Sequence, residues 1–493
     1  MAKTELHLFF FPFMSPGHLI PMVDIARLVA AHGVKVSIAT TPRNISRFQN
    51  IFIRDQDDSD LHINIHKLEF PFSEANLPET CESLDSLPTR LHSYNFSKAT
   101  MMLQPQGDEL VRQHRPDAIV SDMNLPWTAD VADKYGIPRI IFHGTCCFSL
   151  SVSAVSAQHN PNANNTNSVS YTQPFLLPGL PDPVYVTKSQ MPGRFFGNTG
   201  LEEFFAKFID AETKTYGTVA NTFCELEPKY VDCYAKITGK KVWPVGPVSL
   251  FNTKTNDIAE RGNRASIDKD LCLSWLDSKK PNSVLYICFG SLCVFARSQF
   301  LELGFGLEAS KSSFIWVIKD NNANEPVVLP EGFEERVKDR GLIIRGWAPQ
   351  VLILNHPAVG GFMTHCGWNS VLESVTAGVP LITWPLFGEQ FFNENFVLNQ
   401  LGIGVGIGVH SGLAWGEEER IGALVKRDRV EETVNRLMGG DESVEGMRKR
   451  ASQLGELAKA AVGKGGSSNI NIGRLLEDLF SLKKERLETE VQK

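Results

Sequence analysis

Short apolar runs of β-rich composition alternate with segments of helical periodicity along the whole chain, and this alternation is what most constrains the fold. In the first half it predicts strands at 6–13, 34–40, 118–122 and 137–144. The first of these runs, LHLFFFPF, is apolar at consecutive positions, as a parallel strand buried on both faces is. Repeated βαβ units of this kind predict an α/β fold built on doubly wound parallel sheets.

The chain is 493 residues long, and it is too long for one hydrophobic core, because single cores stop growing at roughly 250 to 300 residues. The strand pattern restarts in the second half, at 283–291, 313–319, 341–347, 359–365 and 379–385. Between the halves, residues 248–268 are polar and lack periodicity, which is typical of an interdomain linker. We therefore predict an N-terminal domain at 1–250 and a C-terminal domain at 251–469.

The charge pattern argues against a nucleic-acid partner. The formal net charge is −7, and no Lys/Arg run is long enough to form a phosphate-binding face. The basic residues Lys483, Lys484 and Arg486 alternate with glutamates, and we interpret them as the solvated surface of a helix.

Cysteine usage favours a reducing compartment, and we expect a cytoplasmic location. The nine cysteines are odd in number and form no CxxC pair. The apolar run near the start is broken by Pro12, so we interpret it as a buried strand and not as a secretory leader. No stretch approaches about 20 continuous apolar residues, so no transmembrane helix is expected.

The segment Trp347–Gln390 contains polar residues at definite intervals after predicted strands. His365–Ser370, HCGWNS, follows one strand and precedes a helical run. A helix N-terminus reached through a glycine turn offers backbone N–H groups and a dipole that favour an anion. Asn369 and Ser370 also suit ordinary helix capping, but His365 adds a donor at the same place, and together these residues predict a diphosphate site.

Other residues of this segment each allow two interpretations. Trp347 can seal a core edge or stack on a flat base. Glu373 lies four residues beyond Asn369 on the same helix face, where it can accept from ribose hydroxyls or stay exposed. Glu389 and Gln390 offer the acceptors and the donor that a polyhydroxylated sugar needs, although the dipeptide alone means little. Their joint occurrence favours a nucleotide-sugar site.

The segment resembles the signature box of plant family-one UDP-sugar-dependent glycosyltransferases, from its opening Trp-Ala-Pro-Gln through His-Cys-Gly-Trp-Asn-Ser to its closing Gln, and the chain resembles that family over its full length. The resemblance implies a GT-B fold with two facing Rossmann-like domains and an interdomain cleft. It also implies that the last helix, at about 470–493, packs back onto the first domain.

The resemblance also implies roles for individual residues. Trp347 would stack on uracil, with Ala348 and Gln350 near its edge, and Glu373 would hold the ribose. The expected diphosphate contacts are His365, Asn369, Ser370 and, in addition, Ser291. The expected sugar contacts are Trp368 through its backbone, Glu389, Gln390 and Thr145. Relatives commonly carry Asp where this chain has Glu389, although Glu also occurs there.

His18 and Asp122 form the candidate catalytic pair. His18 lies just beyond the first predicted strand, and Asp122 ends the strand predicted at 118–122. A lone histidine is usually structural, but a carboxylate that accepts from one imidazole nitrogen fixes the tautomer and leaves the other nitrogen to take a proton. In the family that the chain resembles, the equivalent residues act as this dyad, with the histidine as general base.

No metal and no cofactor are expected, since the UDP-sugar is a co-substrate and a helix N-terminus can balance its diphosphate. The sequence contains no Asp-x-Asp, and the nearest ligand-like set, His143 with Cys146 and Cys147, is interpreted as buried core. A nicotinamide dehydrogenase is disfavoured, because MSPGHL stands after the first strand in place of GxGxxG.

These features together predict an inverting, monomeric UDP-glucose-dependent glucosyltransferase. It would attach a β-linked glucose to a hydroxyl of a hydrophobic plant small molecule, a flavonoid or other phenolic or a triterpenoid. Gln390 resembles the residue of UDP-glucose enzymes, but UDP-galactose, UDP-xylose and UDP-glucuronate stay open as donors. The alternative from another class is a non-catalytic UDP-sugar-binding protein.

Overall fold

A computed structural model of the protein describes residues 5–59, 61, 63–158, 172–192, 202–319, 327–412 and 416–491. Its strands are β1 (His7–Phe11), β2 (Lys35–Thr40), β3 (Ile63–Lys67), β4 (Ala118–Asp122), β5 (Arg139–His143), β6 (Phe175–Leu177), β7 (Val184–Val186), β8 (Gly217–Ala220), β9 (Lys241–Pro244), β10 (Val284–Cys288), β11 (Ser313–Ile318), β12 (Gly341–Arg345), β13 (Val359–Thr364), β14 (Leu381–Thr383) and β15 (Gly404–Gly406).

Helices connect most of the strands. They are α1 (Pro16–Ala31), α2 (Pro42–Ser46), α3 (Gln49–Ser59), α4 (Ser93–Met101), α5 (Gln104–His114), α6 (Trp127–Lys134), α7 (Cys147–Gln158), α8 (Glu202–Thr213), α9 (Pro228–Thr238), α10 (Thr255–Ala259), α11 (Lys269–Asp277), α12 (Arg297–Ser310), α13 (Phe333–Val337), α14 (Gln350–Leu354), α15 (Trp368–Ala377), α16 (Gln390–Asn395), α17 (Arg427–Met438), α18 (Glu442–Val462) and α19 (Ser467–Val491).

The chain divides by its internal contacts into two compact units. The first comprises Met1–Gly144, Gly197–Asn252 and Ala460–Lys493, and the second comprises Thr145–Phe196 and Thr253–Lys459. The change from the first unit to the second after Asn252 lies two residues from the boundary expected at 250. Residues 145–196 belong to the second unit, which no pattern in the sequence indicated.

The first unit contains a seven-stranded parallel sheet in the order β3-β2-β1-β4-β5-β8-β9. From β1, the chain places β2 and β3 on one side of the sheet, and it then returns to place β4 on the other side of β1. Adjacent connections therefore diverge between β1 and β4, and they leave a crevice at the carboxyl ends of these strands.

Both faces of this sheet are buried, as the apolar first strand predicted. Leu8 and Phe10 pack into one hydrophobic cluster, with Val36 and Ile140, and Phe9 and Phe11 pack into another on the opposite face. Alternate side chains of a strand point to opposite faces, so a strand covered on both sides needs apolar residues throughout.

Helix α19 completes one of these clusters. Its residues Ile472, Leu475 and Leu479 are buried with the side chains of the strands. Lys483 Nζ and Arg486 Nη2 lie 2.9 and 2.8 Å from the carboxylate of Asp117. The prediction of a solvated basic surface is therefore wrong for these two residues, because a buried carboxylate distant in the sequence faces them.

The second unit contains a six-stranded parallel sheet in the order β12-β11-β10-β13-β14-β15. Its connections diverge between β10 and β13, so the crevice lies where Cys288 and Thr364 pair at the ends of these strands. Strands β6 and β7 form a separate antiparallel hairpin in the same unit.

All nine strands predicted from the apolar runs are present; β4 has the predicted bounds, and the other eight are shorter than predicted. The missed strands of the first sheet are β3, β8 and β9. The sequence of β3, INIHK, is largely polar, and β8 and β9 are only four residues long and contain Gly217 and Pro244. Such segments carry little apolar signal, because neighbouring strands and not their own composition determine their place.

Candidate catalytic and donor sites

The imidazole of His18 and the carboxylate of Asp122 form a hydrogen-bonded pair in the first unit. Nδ1 of His18 lies 2.7 Å from Oδ2 of Asp122. His18 is the third residue of α1, which follows β1, and Asp122 is the last residue of β4. Because β1 and β4 are neighbours in the sheet, the two residues meet at the crevice where the connections diverge.

Asp122 is fixed on both of its oxygens. It is fully buried, and its second oxygen, Oδ1, accepts from the backbone N–H and the side-chain amide of Asn124, both at 2.9 Å. A carboxylate held in this way presents Oδ2 to the imidazole in one orientation. The pairing places the proton of a neutral His18 on Nδ1, and proton chemistry falls to Nε2.

The surroundings of His18 are apolar and close. The ring of Phe13 meets it edge-on at a centroid distance of 5.6 Å, and Phe96 packs in turn against Phe13 at 5.9 Å. On another side lies Gly144, where a Cβ atom would stand only 3.1 Å from His18 Cε1. The ring of His18 therefore has room at this position because Gly144 lacks a side chain.

A buried guanidinium lies beneath the pair, and the sequence analysis did not single it out. Arg139, 2% exposed, donates to the hydroxyls of Ser121 and Thr128 at 2.9 Å and to the backbone carbonyl of Asp122 at 3.3 Å. Burial lowers the pKa of Arg139 to about 10, so it is still a cation at neutral pH.

In the second unit, His365 occupies the crevice between β10 and β13. It directly follows β13, and the loop after β10 passes against its ring: a Cβ atom at Gly290 would lie 2.5 Å from His365 Cε1. Gly290 has φ +73, a conformation that residues with side chains rarely adopt. Burial lowers the pKa of His365 to about 4, so the ring is neutral at pH 7 and able to donate one hydrogen bond.

Helix α15 begins immediately after this loop. Gly367 is its N-cap, Trp368 is its first residue, and Asn369 and Ser370 lie in its first turn. The first backbone N–H groups of a ten-residue helix thus lie next to His365 at the carboxyl edge of the sheet. This arrangement can bind the oxygens of a diphosphate with neutral donors and a helix dipole.

Cys366 adopts a left-handed conformation, with φ +65, in the middle of this loop. The side-chain amide of Asn393 donates to its carbonyl oxygen at 2.8 Å, and the amide oxygen of Asn393 accepts from Ser149 Oγ at 2.7 Å. Thr145 Oγ1 lies 3.3 Å from the same amide oxygen. Asn393, which the sequence analysis missed, therefore connects the expected sugar contact Thr145 with the diphosphate loop.

The residues expected to contact the nucleoside lie together. Gln350 Nε2 donates to Glu373 Oε2 at 2.7 Å and approaches Ser370 Oγ at 3.2 Å. Ala348 is buried next to them, whereas Trp347 is partly exposed, so its indole is not part of a closed core. Glu373 is 5% exposed, and the interpretation as an exposed helix residue is therefore wrong.

The expected sugar contacts Glu389 and Gln390 begin α16. The amide oxygen of Gln390 accepts from the backbone N–H groups of Leu386 and Phe387, at 2.9 and 3.0 Å. This oxygen therefore holds the preceding turn, and the group that Gln390 can offer to a ligand is its amide N–H₂. Glu389 stands at the N-cap position and is partly exposed.

Ser291 lies in the loop after β10, one residue beyond Gly290. Its backbone carbonyl accepts a hydrogen bond from the ammonium of Lys319, which directly follows β11. Lys319 therefore adds a cation at the carboxyl edge of the second sheet. No sequence motif indicated Lys319, because a single Lys after a strand belongs to none.

Among the residues that the structure describes, no group of three His, Cys, Asp or Glu side chains is arranged to hold a metal ion. His143, Cys146 and Cys147, which were expected in the core, are all buried. His143 lies 3.3 Å from the carboxylate of Glu212. In the described part of the chain, no helix is both long and apolar enough to span a bilayer.

Two parallel sheets, each with its candidate residues at the crevice, define an α/β protein of the nucleotide-binding type. A family model described as UDP-glucoronosyl and UDP-glucosyl transferase matches residues 250–411. UDP-glycosyltransferase 73C3 of Arabidopsis thaliana is 48% identical over 483 residues, 97% of this chain and 97% of that protein. The chain therefore belongs to the plant UDP-glycosyltransferase family.

Two solved structures extend this comparison to the fold. Glycyrrhiza uralensis UGT73P12, complexed with glycyrrhetinic acid 3-O-monoglucuronide, has a TM-score of 0.90 at 40% identity, covering 99% of this chain and 98% of that one. Medicago truncatula UGT71G1, complexed with UDP-glucose, has a TM-score of 0.79 at 27% identity, covering 97% and 99%. The fold class is GT-B with two Rossmann-like domains, and the protein is a glycosyltransferase whose family uses UDP-sugars as co-substrates and transfers sugars to small molecules.

Proposed function

We propose that this protein is an inverting UDP-glucose-dependent glucosyltransferase that forms β-glucosides on a hydroxyl of a hydrophobic small molecule. The observation that carries the proposal is the His18–Asp122 pair at 2.7 Å, at the crevice of its sheet and beside an apolar wall. A family fold alone is compatible with binding of a UDP-sugar without turnover, whereas a histidine oriented by a buried carboxylate is what a general base needs.

In the proposed reaction, Nε2 of His18 takes the proton from the acceptor hydroxyl as the oxygen attacks the anomeric carbon of the sugar. The bond from that carbon to the diphosphate breaks, and UDP leaves with the electron pair. Attack from the face opposite to UDP converts an α-linked donor into a β-linked product. Asp122 orients the ring and stabilises the imidazolium that forms, as the orienting carboxylate of a catalytic triad does.

The donor would be bound by the second unit. The diphosphate would accept from the N–H groups at the start of α15, from Asn369 and Ser370 and from the neutral His365, with Ser291 as a further contact. Because these donors are fixed before the reaction, they stabilise the charge that develops on departing UDP without reorganising. Trp347, Ala348 and Gln350 would hold uracil, and Glu373 the ribose hydroxyls.

The sugar would be oriented by Glu389, by the amide of Gln390, by the backbone of Trp368 and by Thr145. Glucose is proposed as the transferred sugar because Gln390 resembles the residue of UDP-glucose enzymes, and a related structure, that of UGT71G1, was solved with UDP-glucose. UDP-galactose, UDP-xylose and UDP-glucuronate are the alternative donors, and the molecule bound in the UGT73P12 structure is a monoglucuronide.

An apolar acceptor fits the side chains around His18. Phe13 packs against the ring, Phe96 packs against Phe13, and Phe70 packs against Phe96 at a centroid distance of 5.5 Å. Aromatic walls of this kind bind flat or bulky apolar molecules and leave a hydroxyl to the polar group between them. We propose a phenolic such as a flavonoid, or a triterpenoid, and a relative's complex with a glycyrrhetinic acid derivative supports the latter.

We also propose that the protein acts in the cytoplasm, and as a monomer. The cytoplasmic location is supported by its cysteines, since all nine are free thiols and seven of them are buried. Disulfides are rare in the reducing cytosol and common in secreted proteins.

Purified protein incubated with UDP-glucose and a panel of phenolic and triterpenoid alcohols tests the proposal. We expect mass spectrometry to show products heavier by one hexose, and NMR of the anomeric proton to show a β-linkage. The variant His18→Ala should bind UDP like the wild type but form no product. Undiminished turnover by His18→Ala would rule out the base, and UDP binding without product in any reaction would favour the non-catalytic alternative.

A further inference from the structure

The polar segment between the two predicted domains contacts the expected nucleoside site. The guanidinium of Arg261, in the middle of the predicted linker, forms an ion pair with the carboxylate of Glu373. The two side chains are only 8% and 6% exposed. A linker residue is expected to be solvated, so a buried ion pair with a partner 112 residues away requires a reason.

Each carboxylate oxygen of Glu373 accepts from a different side chain. Arg261 donates to one oxygen, Oε1, and the amide of Gln350 donates to the other, Oε2, at 2.7 Å. Each carboxylate oxygen has two lone pairs and accepts two hydrogen bonds. One acceptor position on each oxygen is therefore left for a ligand, and the contacts of Arg261 and Gln350 restrict the orientation of the carboxylate.

The same segment also holds Trp347, the residue expected to stack on the base. The backbone N–H of Ser266 donates to the carbonyl of Trp347 at 2.8 Å, and the N–H of Trp347 donates to Ser266 Oγ at 3.0 Å. This reciprocal pair fixes the backbone that carries the indole. Residues 261–266 thus contact two of the residues expected to recognise the nucleoside, Trp347 and Glu373, while the diphosphate loop has other partners.

We propose that Arg261 is a positioning residue for the ribose of the UDP-sugar, acting through Glu373. Its cation compensates the burial of the Glu373 charge, and its rigid donors orient the carboxylate so that the two remaining acceptor positions meet the 2′- and 3′-hydroxyls. Arg261 itself does not contact the reacting atoms. This inference rests on the proposed function, because it assumes that Glu373 faces a ribose.

A merely structural role for Arg261 predicts something different. An ion pair that only tied the segment to α15 would affect stability, and its loss would weaken all ligands to the same degree. A positioning role predicts a loss that depends on the ribose hydroxyls. The comparison of UDP with 2′-deoxy-UDP therefore separates the two, since these ligands differ only in one hydroxyl that Glu373 would accept from.

The experiment measures the dissociation constants of UDP and 2′-deoxy-UDP by calorimetry for the wild type and for Arg261→Gln, Arg261→Lys and Glu373→Gln. Hydrogen bonds to a charged group contribute enough for the wild type to prefer UDP by about 10- to 100-fold. We expect Arg261→Gln and Glu373→Gln to reduce this ratio to about threefold or less. Arg261→Lys keeps the charge but not the planar donors, so its preference for UDP over 2′-deoxy-UDP should be at least about threefold smaller than that of the wild type.

The exposed Arg264, three residues further along the same segment, provides the matched control, and Arg264→Gln should keep the wild-type ratio. Melting temperatures of all variants are recorded without ligand, and binding is measured only where the protein is folded. If Arg261→Gln does not fold, Arg261→Lys decides the question. An unchanged ratio in the folded Arg261 variants overturns the inference, whereas a wild type that binds no UDP at all overturns the proposed function instead.

Discussion

Replacing Asp122 by Asn tests the catalytic pair without changing the size of the side chain. In the wild type, Oδ2 accepts from His18 Nδ1, and Oδ1 accepts from two donors of Asn124. An amide cannot accept on both sides. If its oxygen stays with Asn124, its N–H₂ faces His18 and forces the proton of the ring onto Nε2, where it prevents proton uptake. If the amide flips, it loses both bonds to Asn124.

The magnitude follows from what a general base supplies. Because this contribution is typically 10²- to 10⁴-fold, we expect kcat to fall by about that factor, which corresponds to about 3 to 5 kcal/mol of transition-state stabilisation. The affinity for UDP should not change, since the donor residues belong to the other unit. The assay is initial-rate kinetics with UDP-glucose, combined with calorimetric titration of UDP.

The exposed Asp133, on α6 of the same unit, gives a matched control, and Asp133→Asn should retain the kcat of the wild type. A kcat for Asp122→Asn within threefold of the wild type would refute the assignment of the pair. Equal losses of kcat and of UDP affinity would also contradict it, because they would indicate a general disturbance of the fold.

Three further predictions concern single residues. Gly144→Ala should lower kcat about tenfold at unchanged UDP affinity, because its Cβ, 3.1 Å from His18 Cε1, displaces the ring. Initial-rate kinetics and titration of UDP check this, and a wild-type kcat would contradict it. Asn393→Ala should lower the free energy of unfolding by about 1 to 3 kcal/mol and weaken UDP binding, because it removes the donor to the Cys366 carbonyl. Urea unfolding measures the stability, and titration measures the UDP affinity. Wild-type values of both quantities would contradict the prediction. Burial lowers the pKa of His7 from 6.5 to about 4, so on acidification the unfolded chain takes up this proton before the folded protein does. The free energy of unfolding should therefore decline as the pH falls from about 6.5 to 4. Urea unfolding at several pH values should show a flatter decline for His7→Gln, and an equal slope would exclude His7 as the cause.

The sequence predicted the fold class and the strands with strong apolar signal, because burial on both faces imposes a composition that can be read locally. It also placed His18 and Asp122 at the ends of strands, where the rule for parallel sheets puts ligand-contacting residues. The structure brings these two side chains within 2.7 Å although they are 104 residues apart. Their proximity was predictable because neighbouring strands share an edge.

What could not be predicted are contacts that depend on the path of irregular segments. Arg261 lies in a stretch without periodicity, and nothing local indicates that its partner is Glu373. The same holds for Lys483 and Arg486, whose spacing on a helix suggested a solvated face while a buried Asp117 determined their place. For Gln390 the residue type was informative, but the use of its oxygen by the preceding turn depends on the φ/ψ angles of residues 386–389.

The position of helix α19 has a consequence for how the protein is made. The first unit contains β1 and also Ile472, Leu475 and Leu479 of α19, which leave the ribosome long after β1 does. Domains generally fold as units, and N-terminal ones fold first. Here β1 waits with part of one sheet face uncovered until α19 has been synthesised, so the nascent chain depends on protection from aggregation during that interval.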